Sequence, residues 1–258
     1  DLSSSAAQGS IAGSWSYSSS DSTVAQLVSG AVFNILKPGS AVITGTFTPT
    51  DSNFASTSAT FTLTVSTGTN TISFGSLNAR TITSGTFTVS ASASSGLSVT
   101  ITSATPGVCT ISAGTVTLVS VGSCSLNANQ SGNAFYTAAS QVSQSFNVTS
   151  VTITFDSNFG TSMTSTQSII SPNGIALANN AFSRTGYTFT GWALSPGGQV
   201  AYSDHQNAAF AYDTTLYAVW IANNYGVTYF ANGADGGAVP VDSTTYTIGQ
   251  ALNVRSNT

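Results

Sequence analysis

Eight aromatic side chains fall within residues 184–220, RTGYTFTGWALSPGGQVAYSDHQNAAFAYDTTLYAVW, at Tyr187, Phe189, Trp192, Tyr202, Phe210, Tyr212, Tyr217 and Trp220. That is most of what a small domain needs for its core. Several recur at alternate positions, as the inward face of a strand requires. We assign Phe189, Trp192, Phe210 and Trp220 to this core, and leave Tyr202 and Tyr212 as candidate contacts for a partner. The split depends on a strand register that the sequence does not fix.

The same alternation fills the rest of the chain. Ile43 and Phe47 are set against Val42, Thr44, Thr46 and Thr48, and Phe61, Leu63 and Val65 are separated by Thr. β-Branched residues at period two suit half-buried strands. Pro38-Gly39 and Pro49-Thr50-Asp51-Ser52 supply turns between them. Residues 68–149 repeat the pattern of short strands and Gly turns expected of an all-β sandwich. Its ending, NAFYTAASQVSQSF, echoes SNFASTSATFTLTV near the end of the first stretch. A repeat of about eighty residues argues for modules stacked end to end.

Charge narrows the function classes. Charged residues make up 5% of the chain, four Lys or Arg against eight acidic residues. No basic patch is available to neutralise phosphates, so nucleic acid is excluded as a partner. Apolar residues at 41% are enough to build cores. Solubility then falls to Ser, Thr, Asn and Gln. No apolar run reaches the ~18 residues that span a bilayer as a helix.

Cys109 and Cys124 are the only cysteines. Ala113-Gly114 reads as a turn pairing Cys109-Thr110-Ile111 with Thr115-Val116-Thr117, and Cys124 lies on the next extended segment. A disulfide would close a ~15-residue loop and contribute about 3 kcal/mol by restricting the unfolded chain. Two buried free thiols are the alternative.

Catalytic groups are sparse. His205 is the only histidine and sits in a polar loop, SDHQN, where it reads as a solvated residue rather than a general base. The chain has no Glu, which leaves only Asp for paired-carboxylate chemistry. Ser195 lacks the surrounding GxSxG pattern. Residues 232–237, NGADGG, lack the Lys and helix of a phosphate cradle. Two thiols and one distant His cannot complete a zinc site, and Asp235 with Asp242 is a thin basis for calcium. Lys37, the only Lys, precedes Pro38 in a turn, a poor setting for an isopeptide crosslink. We therefore expect no catalytic residues, no metal and no cofactor.

RTGYxFxGW followed by TTLYAxW resembles the Listeria-Bacteroides repeat, or internalin B-repeat, of bacterial surface proteins. The resemblance implies a small β-grasp-like fold. Val227-Thr228-Tyr229-Phe230 matches the Val151-to-Phe155 opening of that unit, and reads as the start of a second one. GTFTPTDSNFASTSATFTLTVS, with LSSSAAQGSIAGSWSYS before it, resembles part of a bacterial immunoglobulin-like repeat. Residues 68–149, with PGVCTI and GTVTLVSVGSCSL, resemble a second kind of immunoglobulin-like repeat from end to end.

The expected organisation is thus an all-β, multi-domain chain of tandem immunoglobulin-like β-sandwiches followed by small β-grasp-like B-repeat modules. Its boundaries are 1–67 (incomplete at its start), 68–149, 150–222 and 223–258 (incomplete at its end). The resemblance implies a non-enzymatic stalk, fibre or adhesin shaft on a bacterial surface, associating with itself or with neighbouring modules. Two rivals are a B-repeat that contacts a glycan or a cell-surface protein, and accessory domains of a larger extracellular enzyme.

Overall fold

The computed structural model describes residues 11–233 and 235–256, so the LSSSAAQGS start of the first resemblance lies outside the described residues. Every regular element among them is a strand. The chain divides into two compact units. One comprises the residues up to Ser76, Val89–Thr102 and Leu126–Gln144; the other comprises Leu77–Thr88, Ser103–Ser125 and the residues from Ser145 onward.

The first unit opens with β1 (Gly13–Ser19), β2 (Ala25–Ser29), β3 (Val32–Ile35), β4 (Gly39–Pro49) and β5 (Thr57–Val65). β1, β4 and β5 form an antiparallel sheet in which Trp15 opposes Phe47 and Ile43 opposes Phe61. Because side chains alternate across a strand, this register puts Trp15, Tyr17, Phe47, Phe61 and Leu63 on one face. The other face is almost wholly Ser and Thr. The β2–β3 hairpin turns through Gly30, whose φ of 51° suits the first position of a two-residue loop. Val24 and Ala25 pack on Ala41 and Ile43 as a small core, joined by Phe33, Leu63 and Val65. Trp15 and Phe61 stay 41% and 42% exposed.

Next in sequence come β6 (Ile72–Phe74), β7 (Arg80–Thr81), β8 (Phe87–Thr88), β9 (Ala91–Ala93), β10 (Thr100–Ser103), β11 (Cys109–Ser112), β12 (Thr115–Leu118), β13 (Gly122–Gln130) and β14 (Ala139–Thr149). They form sheets in the orders β10-β13-β14-β7, β11-β12-β8 and β6-β9. In the first unit, residues 68–70 are tied down. Gly68 bridges to Tyr136, and the buried Asn70 donates its Nδ2 to the Gln130 side-chain Oε1. A buried polar pair of this kind stays because each member satisfies the other.

The second unit holds the β11–β12 hairpin. Cys109 opposes Leu118, Ser112 opposes Thr115, and Ala113 and Gly114 both have positive φ, 46° and 77°. That is the twist a two-residue hairpin needs. Cys109 and Cys124 form a disulfide that ties β11 to β13, and both are fully buried. Phe87 packs edge-on to Phe146 at 5.5 Å, with the Arg80 guanidinium 3.8 Å above the Phe87 ring.

The same unit closes with β15 (Val151–Asp156), β16 (Thr164–Ile169), β17 (Ile175–Ala176), β18 (Tyr187–Ala193), β19 (Asn207–Ala208) and β20 (Thr214–Ala222). Their main sheet runs β16-β15-β20-β18, with the central β15–β20 pair parallel and both outer pairs antiparallel. First and last strands side by side agree with the implied β-grasp-like fold. Residues 175–178 are extended. Ile175 and Ala176 pair with Ala208 and Asn207, and the Gln167 amide holds both the Ala176 carbonyl and the Ala178 N–H.

Among the described residues after 222 no strand forms. Tyr225 bridges Tyr246 and Thr228 bridges Val241, but Val227-to-Phe230 gains no ladder. The strand expected at Val227-to-Phe230 is therefore not formed.

Candidate functional site

The aromatic core of residues 150–222 is built by one irregularity. Strict alternation would send Phe189 and Trp192, three residues apart, to opposite faces of β18. Between Phe189, opposite Trp220, and Gly191, opposite Val219, the register shifts, so β18 carries one residue more than its partner. The bulge turns both rings inward, 4.9 Å apart. Gly191 has a φ of 148°, and a Cβ there would lie 2.5 Å from a Val200 methyl and 2.7 Å from the Tyr202 carbonyl oxygen. Only glycine fits this position. The Trp192 and Tyr202 backbones then exchange hydrogen bonds at 2.8 and 3.0 Å.

Around Trp192 lie Phe155 at 4.7 Å and Phe182 at 6.2 Å, with Leu177, Leu216 and Phe210 among the other members of the buried cluster. Trp192 and Phe210 are buried, while Phe189 and Trp220 are half-buried against the cluster. Trp220 also donates its indole N–H to the Ser157 carbonyl at 2.8 Å and meets Phe159 edge-on. Arg184 lies 3.6 Å over the Tyr187 ring. Such stacking keeps the aliphatic stem against the sheet while the charge stays solvated.

The two tyrosines assigned to partner contact differ. Tyr202 is half-buried, packs against the core and meets Phe210 at 5.2 Å, so it is a core residue rather than an exposed contact. Its backbone pairing with Trp192 carries it inward. Tyr212 is 78% exposed, on the turn before β20. That turn is held by Asp213, which accepts the Thr152 N–H at 2.7 Å.

His205 has a positive φ of 57°, and its Nδ1 lies 3.1 Å from the Leu177 carbonyl oxygen. Neighbouring Asp204 accepts the Asn180 N–H at 2.9 Å. Ser195 lies in a turn closed by the Gly198 N–H on its carbonyl. Asp242 accepts bonds from the Thr244 N–H, the Tyr246 hydroxyl and the Arg255 guanidinium. In that order they hold its carboxyl far below the ordinary carboxylate range, and the same bond pushes the Tyr246 hydroxyl up. Among the described residues no three His, Cys, Asp or Glu side chains gather as metal ligands.

Residues 152–219 match the Listeria-Bacteroides repeat domain. A protein described as a Gly-rich membrane protein, from Evansella cellulosilytica, is 38% identical over 68 residues. That alignment covers 24% of this chain and 8% of that protein. Among solved structures, domains 4 and 5 of the S-layer protein SbsC align over 52% of this chain and 70% of theirs, at 19% identity and a TM-score of 0.28. A longer SbsC structure, residues 31–844, aligns over 94% of this chain and 33% of its own, at 16% identity and a TM-score of 0.27. The chain is thus an all-β protein in which residues 152–219 are similar to a Listeria-Bacteroides repeat domain. No helix among the described residues is long and apolar enough to cross a membrane.

Proposed function

We propose that this chain is a non-catalytic structural part of an exported bacterial surface protein, in which consecutive β modules build a shaft. The observation that carries the reading is the match of residues 152–219 to the Listeria-Bacteroides repeat domain, whose resemblance implies a module of bacterial surface proteins. Its setting supports it: β14 ends at Thr149 and β15 begins at Val151, leaving one residue between neighbouring sheets. So short a junction restricts bending. The Ser/Thr face of the β1-β4-β5 sheet and the scarcity of charge suit a surface that limits ionic contacts. Module boundaries at 67/68, 149/150 and 222/223 and assembly through neighbouring modules belong to the same proposal.

Protease treatment of intact cells tests the location. Immunoblotting with an antibody to residues 184–220 should show loss of the signal while a cytosolic marker persists. Survival of the signal until the cells are lysed would contradict the proposal.

A second reading is favoured by Tyr212, whose ring is exposed on an ordered turn beside the core. Here the repeat contacts a glycan or a cell-surface protein through that ring. Tyr212→Ala should then abolish saturable binding to cells or glycan arrays with an unchanged melting temperature.

A further inference from the structure

The first and last strands of residues 151–222 lie side by side and run the same way. Ile153 pairs with Thr214, Thr154 with Thr215, Phe155 with Leu216 and Asp156 with Tyr217. The chain enters β15 two residues before the first of these pairs and leaves β20 five residues after the last. Entry and exit therefore lie at opposite ends of one parallel ladder. Tension drawn through them pulls β15 backward and β20 forward along their common axis. Parallel ladder bonds are evenly spaced, so this direction loads them together rather than in turn.

Bonds outside the ladder lengthen the tie. At the entry end Asp213 accepts the Thr152 N–H at 2.7 Å. Beyond Asp156, the Asn158 Nδ2 donates to the Ala218 carbonyl at 3.0 Å, and the Trp220 indole N–H donates to the Ser157 carbonyl at 2.8 Å. Each of residues 152–158 is thus paired with, or bonded to, a residue between 213 and 220. Sliding would also drag Phe155, 2% exposed, past the Trp192 ring 4.7 Å away. The other neighbour of β15 offers a contrast. β15 and β16 are antiparallel, with Val151 opposite Ile169 at their open end, so force drawn through that end parts their pairs one after another.

We infer that residues 151–222 are a force-bearing clamp, in which tension between the chain before β15 and the chain after β20 is resisted in shear by the β15–β20 pair. That such tension arises in use rests on the shaft reading. The resistance itself belongs to the fold, so a weak clamp would overturn this inference and leave the surface location to the protease test.

Single-molecule pulling of the 258-residue chain in two directions tests it. Handles on Thr149→Cys and Asn224→Cys load β15 against β20, and handles on Thr149→Cys and Ile170→Cys open the β15–β16 hairpin from its end. All three positions are exposed, and Cys109 and Cys124 are joined to each other, so the handles attach at the new thiols. The first direction should yield at about threefold the force of the second or more at equal loading rate, since forced unfolding reports the barrier along the direction pulled. The unsubstituted chain, pulled from its own two ends, should show the same high-force event, lengthening by the contour of residues 151–222 at ~3.5 Å per residue. Similar forces in the two directions would overturn the clamp. So would end-to-end traces in which residues 151–222 extend without a distinct event.

Discussion

Residues 151–155 and 227–230 begin alike, VTITF and VTYF, and end differently. In the first, Val151, Ile153 and Phe155 are buried in a strand flanked by β16 and β20. In the second, Phe230 is 84% exposed and the segment makes one bridge, from Thr228 to Val241. Local preference is nearly the same in both, so it does not decide the outcome. Partners do: β20 supplies the parallel ladder and β18, through its bulge, the indole that covers Phe155. A strand is stabilised chiefly by what packs on it and pairs with it, and its own propensity is a weak term.

The sharpest way to break this comparison is to remove the cover. Trp192→Ala should cost about 3–5 kcal/mol in denaturant unfolding followed by near-ultraviolet circular dichroism, whereas Phe230→Ala should stay within about 0.5 kcal/mol. Similar losses at the two sites would sink the contrast. A paired glycine test comes next. Gly191→Ala puts a methyl against the Tyr202 carbonyl at an unfavourable φ, and should cost about 2 kcal/mol. At Gly226, where an added Cβ meets nothing within 4 Å, the same change should be nearly neutral.

Trp220→Phe keeps the ring packing but strips the Ser157 carbonyl of its indole donor. About 1 kcal/mol should be lost in the same unfolding assay.

Smallest is a pH effect confined to the open segment. The Asp242 carboxyl has a lower pKa folded than unfolded, so the order it lends to 242–255 is complete above the ordinary carboxylate value near ~3.9. It fades as pH falls through the lower folded value. Nuclear magnetic resonance should show the Tyr246 and Arg255 signals unchanged from neutral pH to about 4 and dispersing only below it. Loss already near pH 6 would mean that another group holds the segment.

How much of this was legible follows the physics of each element. Period-two alternation made the β class readable throughout, and the Ala113-Gly114 turn located a hairpin, because two-residue loops have demanding backbone angles. The aromatic run marked where a core must form. Its faces were not readable, because the β18 bulge breaks the alternation from which faces are inferred. Its one signal is Gly191, a glycine inside an aromatic strand. Tyr202 was misplaced for the same reason, since its inward position depends on pairing with the bulged Trp192. Asn70 becomes a buried latch only through a partner 60 residues away, Gln130, which local sequence does not report. Residues 227–230 had the pattern of a strand and lacked neighbours, which alternation cannot report.

Immunogold electron microscopy of the intact native protein, on the cell and after shearing, tests the structural role most directly. With an antibody to residues 184–220, the account predicts label repeating along continuous surface material. Label confined to distal tips would contradict a shaft and point to a receptor-contacting element, with Tyr212 the first residue to replace.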